Sequence, residues 1–346
     1  MVPATIERKI KEPNSCVILL TLGCILRCRM CHLWENNEKD IVRPSLKEWK
    51  DFILSIPKPG ENDFTVIFGG GEPLLFPDML IELISVCHKR GFRTSLATSG
   101  YLMDEAMAKH LAESGLNYIA LTLYSLKEEI HNYMRGMPDS YRKLMQAIEY
   151  LDKHRSSSLE IAIDTVIMAP NLDGLLELAD YVRKDARISS LFFQAVVQPF
   201  HSSPKDEWYN SEEYKFLWPE ETARVDFFID ELIKIKETSP RDRKDKINNS
   251  ISQLKLFKRY FKAPQDFIKK TSCSVLNDNA FTVSPDGSVN LCPYIKPIGN
   301  IRSGSLKDIW YSKEARERRE EILCCKKNCH HIINCWYEDE KAGQES

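Results

Sequence analysis

The chain has 346 residues, a formal net charge of −2, 43% hydrophobic and 28% charged residues. This is ordinary globular composition and argues for no particular charged partner, so no nucleic-acid partner is expected. No run approaches the ~18 apolar residues of a membrane span, and the first residues, Met-Val-Pro-Ala-Thr-Ile-Glu-Arg-Lys, lack an apolar signal core. A cytoplasmic location with no membrane partner is therefore the expectation. The length suits one large α/β domain with a smaller module. Eleven cysteines in such a chain point to metal or redox chemistry rather than disulfides. Four lie before residue 32 and six after residue 272, with Cys87 alone between.

In chain order, an apolar run at 16–22 reads as a buried strand. It leads into Cys24, Cys28 and Cys31, spaced C-x3-C-x2-C. Soft thiolates so close together suit an iron–sulfur cluster, zinc or Cu(I). His32 would complete a Cys3His zinc site, although adjacent side chains diverge. Three structural cysteines are the plain alternative. In a [4Fe–4S] cluster, three cysteines leave one iron open to a non-protein ligand.

Further strand candidates lie at 64–69, 93–98, 117–124, 159–168 and 190–197. Helical patterns separate them: from a Ser45 cap to about residue 56, then 79–87, from Asp104 to near Gly115, 141–154 and 172–183. Alternating strands and helices imply parallel βαβ units. Six units are too few for a closed eight-stranded barrel, and an open (β/α)6 partial TIM barrel fits. The second strand ends in Phe68-Gly-Gly-Gly-Glu-Pro73, where consecutive glycines allow close backbone approach to a ligand. The third ends in Ala97-Thr-Ser-Gly100 and the fourth in Leu121-Thr-Leu-Tyr-Ser125; strand-end hydroxyl capping is the plain reading of both. All lie on the C-terminal rim, where barrel active sites assemble. His131-Asn-Tyr-Met-Arg-Gly136 follows, with His131 read as a surface or core histidine ahead of a catalytic base.

Residues 199–218 are aromatic, and read equally as a lid over the barrel mouth or a loop packed on the surface. Helical stretches follow near 219–237 and 245–261. Between Lys234 and Lys262 ten basic residues face three acidic ones, read as a solvated face ahead of an anion-binding patch. Residues 281–284 and 288–291 form a hairpin across Pro285-Asp-Gly287, and 306–311 and 314–323 are helical. The division expected is 15–200 as the barrel core, 201–270 as a connecting segment and possible lid, and 271–336 as a small α+β module. That module holds Cys273, Cys292, Cys324, Cys325, Cys329 and Cys335, with a zinc knuckle as the alternative to a cluster. Cys16 and Cys87 read as core thiols.

The C-x3-C-x2-C loop and Gly70-Gly71-Glu72-Pro73 together resemble the signature of radical S-adenosylmethionine (radical SAM) enzymes. The resemblance implies a [4Fe–4S] cluster on Cys24, Cys28 and Cys31 whose open iron chelates S-adenosylmethionine. Gly70, Gly71, Glu72 and Pro73 would hold its methionine amino group. Thr98 and Ser99 stand where many relatives have Thr-Asn, Thr122 where a serine contacts the cofactor, and Arg135 where an arginine can pair with its carboxylate. Two residues depart from the pattern: Met30 replaces an aromatic, and Tyr124 an aspartate, so no acid role carries over there. The C-terminal cysteines resemble the SPASM domain and its twitch variant, which hold auxiliary [4Fe–4S] clusters. Six cysteines cannot ligate two four-cysteine clusters. One auxiliary cluster is expected, on Cys273 and Cys292 with Cys329 and Cys335 next and Cys325 as the rival.

The implied activity is cleavage of S-adenosylmethionine to a 5′-deoxyadenosyl radical that abstracts hydrogen from a substrate C–H bond, fed by a low-potential donor such as flavodoxin or ferredoxin. Only 23 residues precede Cys24, leaving no room for the peptide-recognition domain of many peptide-modifying relatives. A small polar metabolite, such as a sugar or alcohol, is therefore the first expectation for the substrate. A ribosomally made peptide is the second. A non-enzymatic iron–sulfur or zinc protein is the third, and the Gly70–Pro73 stretch counts against it.

Overall fold

The computed structural model describes residues 10–35, 38–58, 64–200, 202, 205–239, 245–265, 279–325 and 333–334. Six parallel strands form its centre: β1 (Ser15–Thr21), β2 (Thr65–Gly70), β3 (Arg93–Thr98), β4 (Tyr118–Thr122), β5 (Glu160–Ile167) and β6 (Ser190–Ala195). The connecting helices are α1 (Leu46–Ser55), α2 (Pro77–Lys89), α3 (Glu105–Glu113), α4 (Glu128–Arg135), α5 (Ser140–His154) and α6 (Leu175–Lys184). Local chemistry sets several starts. Ser45 and Glu48 form a reciprocal cap on α1, and Asp104 accepts from Met107 N at the start of α3.

Each strand alternates between two faces. On β5, Ile161, Ile163 and Ile167 lie fully buried in the hydrophobic core beneath the helices, which leaves Ala162, Asp164 and Val166 on the concave face. The same alternation puts Tyr118, Ala120 and Thr122 of β4, and Ser190, Phe192 and Gln194 of β6, on that face.

The sheet does not close. Its strand order is β6-β5-β4-β3-β2-β1-β7-β8-β9, with β7 (Ala280–Val283) parallel to β1 and β8 (Ser288–Asn290) and β9 (Gly299–Asn300) antiparallel beyond it. The open (β/α)6 partial barrel read from the sequence is therefore the core of the fold. The C-terminal hairpin differs from expectation: it continues the barrel sheet, with Ser15 through Ile18 in register with Ala280 through Val283. At the opposite edge, β6 is covered. Leu191 N donates to Lys246 O at 2.6 Å, and Asn248 N to Leu191 O at 2.8 Å. The Asn249 side chain brackets Phe193 N and O, and the Asn334 side chain brackets Ala195 N and O, all at 2.8–2.9 Å. Such pairing removes a free strand edge.

Other differences have local causes. Helix α4 was not expected; it carries the His131–Arg135 stretch and ends at Gly136, whose φ of 64° provides a left-handed cap. Residues 172–174 form a 3-10 turn before α6. The described part of the 199–218 stretch is packed down by its aromatics: Trp208 and Leu217 are fully buried, Tyr214 and Trp218 nearly so, and Trp208 and Trp218 sit edge to face. α7 (Thr222–Thr238) and α8 (Ile251–Lys262) follow; α8 starts later than expected because Ser250 caps it. The basic run is partly spent internally: Lys258 pairs with Asp230, Lys236 with Asp245, and Lys246 Nζ donates to Val182 O and Asp185 O. α9 (Leu306–Trp310) and α10 (Lys313–Leu323) come next, and Trp310 Nε1 ties to Lys11 O at 3.0 Å. No helix among the described residues is long and apolar enough to cross a membrane.

Candidate active site at the cysteine loop

The loop carrying Cys24, Cys28 and Cys31 leaves the C-terminal end of β1 and is held by its neighbours on three sides. On the β2 side, Gly71 N donates to Thr21 O at 2.8 Å and Glu72 N to Gly23 O at 2.9 Å. A Cβ on Gly71 would lie 2.0 Å from Gly23 O, and one on Gly70, at φ 119°, would lie 2.2 Å from Thr21 O. These glycines therefore allow backbone-to-backbone closure between the two motifs. Gly69, next door, has nothing within 4 Å of a notional Cβ and borders open space.

On the α4 side, Arg27 N donates to Arg135 O at 3.1 Å and Arg29 N to Met134 O at 2.9 Å. Gly136 is needed here too, since its Cβ would fall 2.3 Å from Arg27 O. On the third side the chain returning from β6 forms a parallel bridge between Phe200 and Cys31, with His32 N donating to Phe200 O at 3.2 Å. His32 is not turned to the thiols as a fourth ligand: its Nδ1 pairs with Glu35 at 3.0 Å and its ring sits edge to face with Tyr214.

Glu38, which the sequence reading passed over, braces the start of the loop. Its carboxylate accepts from Thr21 Oγ1 and from Leu22 N at 2.6 Å, and pairs with Arg43 at 2.6 Å. No local pattern announces it; a lone glutamate in a loop reads as surface charge.

Glu72 is fully buried. Its Oε1 accepts from Thr98 Oγ1 at 2.6 Å and Leu74 N at 3.2 Å, and its Oε2 from Ser99 N at 3.1 Å and Ser99 Oγ at 2.5 Å. The carboxylate thus ties the end of β2 to the end of β3, and the Thr98 and Ser99 hydroxyls are spent on it.

Arg135 is a buried cation beside the thiols. One terminal nitrogen donates to Thr122 O at 2.6 Å, the other lies 3.7 Å from Cys28 Sγ, and the guanidinium carbon sits 4.7 Å from the Tyr124 ring centre. Its Nε is buried with no hydrogen-bond partner among the described residues. His131 stacks near Tyr124, and its Nδ1 accepts from Tyr124 N at 3.3 Å. Burial, with the Arg135 charge second, pushes its pKa down to about 2, so it is a neutral core imidazole.

Burial also pushes the Cys24 thiol up to about 11 and the Cys31 thiol up to about 12, partly offset by the N–H groups of Leu26 and Leu33. Each of these two thiols feels Cys28, and both feel Arg135. Uncompensated thiolates are thus disfavoured here, and a metal centre supplies the missing positive charge. Among the described residues no group of three or more His, Cys, Asp or Glu side chains is arranged to hold a single ion. Cluster ligands bind separate irons and need not meet at one point. The donor set fits a cluster: three soft ligands on one loop, a buried cation with an unsatisfied N–H beside them, and an open concave face above.

In the C-terminal region, Cys292 is part-buried with its Sγ accepting from Tyr294 N at 3.5 Å, and Cys324 and Cys325 are exposed at the end of α10. Cys273, Cys329 and Cys335 lie outside the described residues. Asn334, fixed on Ala195 at the mouth end of β6, is the sequence neighbour of Cys335. Cys16 and Cys87 lie in the core.

A family model of the radical SAM superfamily matches residues 18–182, and one of the SPASM iron–sulfur cluster-binding domain matches residues 273–336. The chain carries a radical SAM domain followed by a C-terminal SPASM module, the combination for which a [4Fe–4S] cluster, S-adenosylmethionine and auxiliary iron–sulfur binding are implied. Among curated proteins it is 27% identical to an AdoMet-dependent heme synthase of Methanosarcina barkeri, over 48% of this chain and 46% of that one. It is also 27% identical to a PqqA peptide cyclase of Granulibacter bethesdensis, over 48% of this chain and 43% of that one. These matches span about half the length of the relatives. Among solved structures, Streptococcus suis SuiB bound to precursor peptide SuiA superposes with a TM-score of 0.65 at 14% identity, covering 94% of this chain and 70% of that one. That likeness is one of fold.

Proposed function

We propose that the protein is a radical SAM enzyme that modifies a peptide. The observation that carries the enzyme reading is the convergence at the rim. Gly71 and Glu72 are bonded to the cysteine loop, Glu72 to Thr98 and Ser99, and Arg135 to Thr122 while touching Cys28. Cys24, Cys28 and Cys31 would hold the [4Fe–4S] cluster. The chemistry such a cluster would supply is one-electron reductive cleavage of bound S-adenosylmethionine, directed at a substrate C–H bond.

The chain's own residues organise this. Glu38 and the paired glycines fix the loop's entry. Glu72 locks the β2 and β3 ends so that the backbone of Gly70–Pro73 stays in place. Arg135 balances the thiolates and, through its unpaired Nε, offers a donor to the cofactor carboxylate. The concave strand face keeps the reacting groups apart from bulk water. Cys273 and Cys292, with two of Cys325, Cys329 and Cys335, would hold the auxiliary cluster, and Asn334 anchors that end of the module at β6. A low-potential flavodoxin or ferredoxin would supply electrons.

For the substrate, the peptide reading rests on the relatives: a PqqA peptide cyclase in sequence and a precursor-peptide complex in fold. They support it over the small polar metabolite that stood first from the sequence. The test is isotope transfer. The anaerobically reconstituted protein, with reductant and S-adenosylmethionine, is given perdeuterated short peptides encoded beside its gene. Deuterium should enter 5′-deoxyadenosine and the peptide mass should change. No transfer from any such peptide, with transfer from a deuterated sugar or alcohol, would reverse the order of the two readings.

A further inference from the structure

The concave face above β4, β5 and β6 holds a carboxyl that none of the roles above uses. Register places Thr122 of β4 beside Asp164 of β5, and Asp164 beside Phe192 of β6, so the three side chains share one level and one face. Below that level the face is closed by Tyr118, whose hydroxyl lies 3.2 Å from Ser190 Oγ and is also bonded by Asn248. Above it come Val166 and Gln194, in register with each other, towards the mouth.

Asp164 has no salt bridge or hydrogen bond from its carboxyl among the described residues. The groups facing it are Thr122, Tyr118, Ser190 and Phe192, all uncharged, and Glu160 lies at the far, N-terminal end of the same strand. Asp164 is partly buried on this face, and desolvation without a partner pushes its pKa up to about 7. A desolvated carboxyl normally has a partner, because leaving it unpaired is costly.

We infer that Asp164, flanked by Thr122 and Phe192, is a docking point for a cationic nitrogen of the substrate, an ammonium or guanidinium group. Three features select a cation over a neutral amide. The carboxyl lacks a counter-charge that only an ionic partner restores. The walls are otherwise neutral, so nothing competes for that cation. Phe192 adds an aromatic face suited to cation–π contact. The position suits a bound substrate: Thr122, whose carbonyl holds Arg135, is the link between this level and the thiols. The inference rests on the peptide reading and deepens it: a lysine or arginine side chain, or an N-terminal ammonium, of the peptide would occupy this place.

The experiment uses reconstituted holoprotein saturated with S-adenosylmethionine. The probes are Nα-acetyl-lysine methylamide, Nα-acetyl-arginine methylamide and the uncharged Nα-acetyl-norleucine methylamide, measured by calorimetry at about pH 6 and about pH 8, either side of the Asp164 titration. At the higher pH a cationic probe should bind about tenfold or more tighter than norleucine. The preference should shrink at the lower pH, vanish in Asp164→Asn and return in Asp164→Glu. Equal binding of all three probes to the wild type, or none, overturns the inference. So does a loss of S-adenosylmethionine affinity in Asp164→Asn, which would make Asp164 a cofactor contact. Formation of 5′-deoxyadenosine by the same wild-type sample is read in parallel. Its presence without a cation preference defeats the docking point alone, and its absence defeats the functional reading itself.

Discussion

Gly71→Ala separates a glycine that closes the site from one that merely lies in it. The new Cβ would sit 2.0 Å from Gly23 O and 2.5 Å from Leu22 O, both backbone atoms that cannot swing aside. Relief requires the β2 end and the cysteine loop to part, stretching the bonds Gly71 N to Thr21 O and Glu72 N to Gly23 O. Two backbone hydrogen bonds are worth about 1 kcal/mol each net, and overpacking adds about 1–3 kcal/mol. The expected destabilisation is therefore about 3–5 kcal/mol, concentrated at the loop that carries Cys24. Gly69→Ala is the internal control, because its Cβ meets nothing within 4 Å. Urea melts and iron content after anaerobic reconstitution measure both variants. Gly71→Ala should melt earlier and retain less iron on the three-cysteine site, while Gly69→Ala should match the wild type in both. A Gly71→Ala protein with wild-type stability and iron would refute the closure argument.

Three further outcomes follow from the geometry. Glu72→Gln replaces an acceptor of four donors with a group that is itself half donor, leaving buried N–H or O–H groups of Thr98 and Ser99 unmatched; a loss of about 2–3 kcal/mol in urea melts is expected, and an unchanged midpoint would contradict it. Asp164 is raised to about 7 in the fold against about 3.9 unfolded, so the native state binds the extra proton and stability falls as pH rises between those values. The cost is fully present above pH ~7 and approaches about 4 kcal/mol as an upper figure. Asp164→Asn should therefore flatten the pH dependence of stability over that window, and a slope identical to wild type would argue against a desolvated, unpaired carboxyl. Cys292→Ala should remove roughly half the iron, leaving the three-cysteine cluster and uncoupled 5′-deoxyadenosine formation; full iron in that variant would exclude Cys292 as a ligand.

The parts of this fold carried by local chemistry were legible in the sequence. The six strands appear as short β-branched runs close to their observed ends, and the Ser45 and Asp104 caps lie where their side chains bond the backbone. The site's skeleton was legible for the same reason, since C-x3-C-x2-C and Gly-Gly-Glu-Pro are contiguous strings. What the sequence hid depends on contacts between distant residues. The pairing of β7 with β1 joins segments over 260 residues apart by backbone bonds, which carry no side-chain signature. Glu38 and Asp164 are single carboxylates with no repeating pattern around them, and only the folded neighbours distinguish a brace from a desolvated acid. Helix α4 was obscured because its eight residues are polar on most sides, and its role emerges only from the cysteine loop docked on its last turn. The aromatic stretch after β6 was read at the right place, but its burial is set by α8, whose Tyr260 and Phe261 pack on Trp218.

The central claim is that Cys24, Cys28 and Cys31 support reductive cleavage of S-adenosylmethionine. Its most direct measurement is 5′-deoxyadenosine, quantified by mass spectrometry after anaerobic reconstitution with iron and sulfide and addition of dithionite and S-adenosylmethionine. The wild type should form it together with the absorbance of two [4Fe–4S] clusters, and the triple Cys24/Cys28/Cys31→Ala variant should form none while losing about half the iron. Stoichiometric zinc without cluster absorbance, or equal 5′-deoxyadenosine from the triple variant, would contradict the account.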